Sequence, residues 1–170
     1  DHGGLNFEPG ERFEYSNSGY VLLAMVGERV TGVEFHRFVR NRVFTVLRMN
    51  SSFVYDESKP EIPNRAVGCY RNGTFCDYNL STMGPGGMYA SAEDLFKWDR
   101  SFYHGTLVPP AVGDAAFTDH EERGYGYGWQ IKNYRGREMF FHGGSLRGYI
   151  TRITRIPEED TVIIILSNGS

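Results

Sequence analysis

Pro9-Gly10-Glu11-Arg12-Phe13-Glu14-Tyr15-Ser16-Asn17-Ser18-Gly19-Tyr20 runs straight into the apolar segment Val21-Leu22-Leu23-Ala24-Met25-Val26. Residues 18–30 are apolar on nearly every face, which predicts a buried helix, ended by Thr31-Gly32. Residues 34–47 predict a second helix, with Phe35, Phe38, Val39, Val43, Val46 and Leu47 on one stripe. Residues 50–64 read mostly as loop, broken by Lys59-Pro60 and Ile62-Pro63. Residues 66–71 and 74–78 read as a hairpin turning at Asn72-Gly73. Met83-Gly84-Pro85-Gly86-Gly87 is a glycine-rich turn. A helix capped by Ser91 follows, with Leu95, Trp98 and Phe102 facing inward.

The last third changes period. Residues 128–133, 138–141, 149–156 and 161–166 read as strands, joined by turns at Arg135-Gly136 and 157–160. Short turns favour antiparallel neighbours. Val162-Ile163-Ile164-Ile165-Leu166 is apolar on both alternating faces, as suits a strand covered on two sides. Helices come first, then a meander.

Composition bounds the function classes. The 170 residues are 40% hydrophobic and 23% charged, with a net charge of −3. That length permits one domain with a sizeable core, and the charge gives no strong pull toward nucleic acid or anionic lipid. No apolar run reaches the length of a membrane-spanning helix. Both ends of the chain are expected to be cut from something longer, and the compartment is not legible. The two cysteines, Cys69 and Cys76, flank Asn72-Gly73. A two-residue turn there would set them opposite one another, within disulfide range. Two unlinked thiols remain the plainer reading, and neither spacing nor partners suggest a zinc site.

Three groups could carry chemistry. Tyr15 has an ordinary pKa of about 10, so it is a poor base at neutral pH unless its neighbours favour phenolate or it only relays a proton. Its plain alternative is a half-buried tyrosine bonded to backbone. Asn17 could hold a substrate amide, or simply cap the helix. His142 sits where a strand meets Gly143-Gly144; it could donate or accept near neutral pH, or merely end the strand. The glycines allow close approach to the backbone, and the Ser145 N–H could serve as an oxyanion donor. Arg147 could bind a substrate carboxylate, or be a solvated surface arginine.

Read together, the pieces narrow the choice. Tyr15-Ser16-Asn17, then Gly86-Gly87-Met88-Tyr89-Ala90-Ser91, then Tyr125-Gly126-Tyr127-Gly128-Trp129, then His142-Gly143-Gly144-Ser145-Leu146-Arg147-Gly148-Tyr149 occur in this order. The series resembles the class C β-lactamase-like serine hydrolases, which include penicillin-binding proteins, D-aminopeptidases and β-lactamase-like esterases. The resemblance implies an α/β (α+β) fold of the β-lactamase/transpeptidase type, an antiparallel sheet flanked by helices with a helical lobe. Residues 1–170 would be the central and C-terminal part of one such domain, the helical lobe near 8–50 and the sheet part near 125–170. It implies Tyr15 as proton shuttle, Asn17 as substrate ligand and His142 in the third-motif position. Gly144, Ser145 and Arg147 would then bind the oxyanion and substrate. The substrate would be a small molecule or peptide, and no cofactor or metal is implied.

The first motif of that family, S-x-x-K, supplies the nucleophile, and no serine here has lysine three residues later. The expected activity is therefore that of a parent serine hydrolase, with the isolated chain inactive and prone to self-association. A non-catalytic binding module is the second hypothesis. A third is an unrelated hydrolase using Ser145 and His142, although Gly143-Gly144-Ser145-Leu146-Arg147 fails the G-x-S-x-G elbow.

Overall fold

A computed structural model describes residues 4–56, 62, 64–70, 72–76, 83–120 and 122–169. The predicted breakers Lys59-Pro60 and Pro63, and the end of the second hairpin strand at 77–78, lie outside the described residues. Helix α1 spans Asn17–Thr31, and Ser16 is its N-cap, its hydroxyl accepting from the Gly19 N–H. Gly32 ends it in the left-handed conformation, its N–H bonded to the Glu28 carbonyl. Burial is not as expected: only Ala24 is buried, while Leu22 and Leu23 are each 61% exposed and Val30 is 79% exposed. One side of α1 packs on α2, and its Tyr20 meets the backbone at Gly84 and Gly128.

The second predicted helix is three consecutive pieces: α2 (Phe35–Val39), a π-helical turn (Arg40–Phe44) and α3 (Thr45–Leu47). A π-turn adds a residue to the winding, so Val39 and Phe44, five apart, are both buried with Met49 and Val54 in one core cluster. That re-phasing leaves Val46 half exposed and brings in Phe44, which the regular stripe omits.

Strand β1 (Phe53–Val54) pairs with β4 (Met88–Tyr89), and β2 (Gly68–Cys69) with β3 (Phe75–Cys76). The β2–β3 register is Gly68↔Cys76 and Cys69↔Phe75, so the two cysteines are not opposite one another, and both are free thiols. The turn is one residue longer than a two-residue loop: the Gly73 N–H bonds the Tyr70 carbonyl and the Tyr70 N–H bonds Thr74. Gly84 (φ 100°) passes so close to α1 that a Cβ there would collide with the Tyr20 carbonyl.

Helix α4 (Ala92–His104) starts on Ser91 as predicted, and is followed by α5 (Pro110–Ala116). Its inward side also carries Asp94, Asp99 and Ser101, all buried. Burial alone would raise the Asp94 carboxyl. The Lys97 ammonium with the Ser51 N–H and Ser52 hydroxyl outweighs that and holds it below the usual range.

The main sheet is antiparallel, in order β5 (Gln130–Tyr134), β6 (Arg137–Leu146), β7 (Tyr149–Ile156) and β8 (Thr161–Ser167). Strand β6 is longer than predicted and runs through His142-Gly143-Gly144-Ser145 without a break. Strand β8 lies at the sheet edge against α4. It is covered on one face only: Ile163 is 50% and Ile165 54% exposed, correcting the two-sided expectation. On the covered face, Phe140 meets Phe117, which also touches Trp129 and Phe102.

Candidate active site

The start of α1 and the far half of β6 meet around a group of aromatic rings. Because Ser16 caps the helix, Asn17 is the first helical residue and its amide is free of the capping bond. Its Oδ1 accepts from the Tyr15 hydroxyl at 3.1 Å. The Tyr15 and His142 rings lie 6.2 Å apart between centroids and stack at 28°. Thus the phenol, the carboxamide and the imidazole are neighbours, although Tyr15 and Asn17 lie well over a hundred residues from His142.

Tyr125 completes the group. Its hydroxyl is 2.9 Å from His142 Nε2, while His142 Nδ1 is 2.9 Å from the Gly143 carbonyl. A carbonyl oxygen only accepts, so Nδ1 carries the proton, and in the neutral ring Nε2 accepts from Tyr125. Burial, with Tyr20 and Tyr15 nearby, pushes the Tyr125 phenol up to about 12, which keeps it a donor. Burial and Tyr15 likewise raise Tyr20. Tyr125 stands within Tyr125-Gly126-Tyr127-Gly128-Trp129, and the sequence alone gives it no role. Its signal was a polar tip amid glycines two elements ahead of His142.

A pocket of about 370 Å³ is lined by Phe13, Tyr15, Tyr20, Leu23, Tyr125 and Tyr127 among others; of the predicted site residues it takes in Tyr15 but neither Asn17 nor His142. Another of about 320 Å³, between α3 and α4, contains none of the predicted site residues.

Gly144 and Ser145 lie further along β6. Pairing of β5 with β6 stops at Gln130↔Phe141, whereas β7 follows β6 to Leu146. Among the described residues the β5 side of 142–146 therefore carries no strand partner, which leaves that edge for another chain or a ligand. Ser145 alternates away from the face that carries His142 and Gly144. A side chain at Gly144 would press on the Thr151 hydroxyl. Arg147 is exposed in the turn after β6; the Tyr70 phenol nearby is raised above its ordinary value, chiefly by its hydrogen bond with Cys76, and the Arg147 charge only opposes that rise. Tyr15, Asn17 and His142 are thus brought together, Gly144 and Ser145 stand on the same strand, and Arg147 sits beyond its end.

The Beta-lactamase family model matches residues 2–170. The chain belongs to the Beta-lactamase family. It is 29% identical to penicillin-binding protein 4* of Bacillus subtilis over 95% of its own length and 41% of that protein. It is 25% identical to the D-aminopeptidase of Gluconobacter oxydans over 96% of its length and 33% of that protein. The chain therefore spans well under half of these curated relatives. A penicillin-binding protein of Bacillus halodurans superposes with a TM-score of 0.87 at 29% identity, covering 99% of this chain and 56% of that one. An octameric penicillin-binding protein homologue from Pyrococcus abyssi gives 0.81 at 29% identity, over 96% of this chain and 40% of that one. The fold is accordingly of the β-lactamase/transpeptidase type, mixed helix and antiparallel sheet, as the sequence implied. Among the described residues no helix is long and apolar enough to cross a membrane.

Proposed function

We propose that this Beta-lactamase family chain is the proton-handling and carbonyl-binding side of a serine hydrolase that cleaves amides or esters through an acyl-serine intermediate. On this reading residues 1–170 are the central and C-terminal part of one domain, and the nucleophilic serine with its lysine lies on polypeptide outside them. The serine hydroxyl attacks the substrate carbonyl. Tyr15 takes its proton and passes it to the leaving nitrogen or oxygen. Asn17 holds the substrate amide. The Ser145 N–H, on the open side of β6, donates to the oxyanion, and Gly144 leaves room for it. Water then releases the acyl group, with Tyr15 moving the proton in reverse.

His142 acts on Tyr15 by ring contact, while its hydrogen bond goes to Tyr125. Arg147 would receive a substrate carboxylate. The observation that carries this reading is the Tyr15–Asn17–His142 group at the open edge of β6. The exposed apolar residues of α1 and β8 support a further part of the reading, that the 170-residue chain self-associates.

Intact mass after incubation with a fluorescent penicillin or a nitrophenyl ester tests the reading. The 170-residue chain is expected to gain no acyl adduct. The longer gene product is expected to gain one on a Ser-x-x-Lys serine, and Tyr15→Phe to slow acylation about 10²-fold or more. A stable adduct on Ser145 of the short chain would overturn the assignment, and a gene product with no Ser-x-x-Lys would leave a binding cleft in its place.

A further inference from the structure

His142 uses both of its ring nitrogens within the chain. Nε2 lies 2.9 Å from the Tyr125 hydroxyl and Nδ1 2.9 Å from the Gly143 carbonyl. A neutral imidazole has one donor and one acceptor, so neither nitrogen keeps a hydrogen bond for Tyr15 or for a substrate. What the ring presents to Tyr15 is its face, stacked at 28° with centroids 6.2 Å apart. Which nitrogen of an imidazole carries the proton is set by the bond that the other one makes. At Nε2 that bond comes from Tyr125.

Tyr125 is built to make it. Its backbone is held on both sides: the Ile131 N–H bonds the Gly124 carbonyl at 2.7 Å, the Gly126 N–H bonds the Trp129 carbonyl at 2.8 Å, and the Tyr127 N–H bonds the Ala116 carbonyl at 3.0 Å. A Cβ at Gly126 would collide with that Ala116 carbonyl, so the segment is closely seated. The Tyr125 ring lies 5.3 Å from Phe13 between centroids and meets Tyr15 edge-on at 6.1 Å. Tyr15 is therefore bounded by two rings that stand at 82° to each other, the imidazole against its face and Tyr125 across its edge. Burial, with Tyr20 and Tyr15 close by, keeps the Tyr125 phenol protonated at neutral pH, so its hydroxyl remains a donor. A donor on fixed backbone holds its acceptor at little further cost in order.

We infer that Tyr125 is a positioning residue of the proposed hydrolysis, its hydroxyl fixing His142 in the Nδ1–H tautomer and in the orientation that stacks on Tyr15. The inference rests on Tyr15 as the proton relay. His142 then neither gives nor takes a proton during the reaction, and Tyr15 moves it alone. Tyr125 also lines the pocket beside Tyr15, so direct contact with substrate is the competing task, and the two differ in what they predict.

Two measurements test this. In the 170-residue chain with isotope-labelled histidine, two-bond proton–nitrogen correlations read the ring nitrogens, and His142→Gln identifies the resonances. The expected parent spectrum has the proton on Nδ1, with the Tyr125 hydroxyl proton in NOE contact with the His142 ring. Tyr125→Phe removes only the hydroxyl and should move the tautomer ratio about fivefold toward Nε2–H. In the longer gene product, a double-mutant cycle follows acylation. Tyr125→Phe should slow it about tenfold with KM little changed, yet by less than about twofold once His142→Ala is present, because a residue that acts through another loses its effect when that one is gone. A merely structural role would subtract the same factor in both backgrounds, and direct contact with substrate would raise KM in both. A parent chain with the proton on Nε2, or equal factors in the two backgrounds, would overturn the inference. Undiminished acylation in Tyr15→Phe would sink the relay assignment itself, and the labelled-histidine spectrum tells the two failures apart because it does not depend on the chemistry of Tyr15.

Discussion

Ser16 and Asn17 divide two tasks that the sequence leaves open for Asn17 alone. Serine takes the cap, and the carboxamide is left to Tyr15. The phenol and imidazole were legible as candidates because each sits in a short motif. The Tyr125–His142 bond was not, because it joins residues seventeen apart across a strand and a turn, a distance only the sheet register sets. That residue yields a prediction for alkaline pH. The Tyr125 phenol is held near 12 in the folded chain, against about 10 when unfolded. Its contribution to stability is therefore complete below about pH 10 and is lost as pH rises toward about 12. Urea midpoints should fall across that window, and Tyr125→Phe should flatten the fall.

Among the elements, α4 and β7 are joined by charge within the core. Asp99 is 0% and Arg155 3% exposed, and their nearest atoms lie 3.0 Å apart. Arg100 adds a contact at 2.6 Å to Asp99, and the Phe117 ring lies 4.4 Å from the Arg155 guanidinium. Breaking such a pair strands a buried charge, so Asp99→Ala should cost about 3–5 kcal/mol in urea unfolding. Asp99→Leu with Arg155→Met should cost far less, because neither charge then remains. Periodicity found α4 and its apolar stripe but gave no sign of this pair, since a charged residue on an inward face reads as a phase error until its partner is seen. Periodicity also missed the π-turn, because it assumes one winding throughout, and the hairpin register, which a single extra loop residue decides.

At the scale of the whole molecule, the accessible surface is 11717 Å², against about 8,500 Å² for a compact monomer of this mass. Part of the excess is apolar: Leu22, Leu23 and Val26 on α1, and Ile163 and Ile165 on β8. Exposed apolar surface of this kind favours association. Sedimentation of the 170-residue chain at micromolar concentration should show species larger than a monomer, and Val26→Glu with Ile165→Lys should shift them toward monomer. A monomeric parent chain would refute this. The order of helices followed by an antiparallel meander was legible from period and turn chemistry. The burial of α1 and β8 was not, because hydropathy states what a surface favours, and packing decides what it receives.

The π-turn also bears on how this stretch can vary in length. Val39 and Phe44 reach the same core only because one additional residue is wound between them. In an ordinary α-helix that pair would stand four apart, which is again a shared side. A homologue lacking one amino acid in this interval would therefore preserve the cluster and simply unwind the bulge, so a gap in an alignment here records a change of helical pitch with the same two anchors kept.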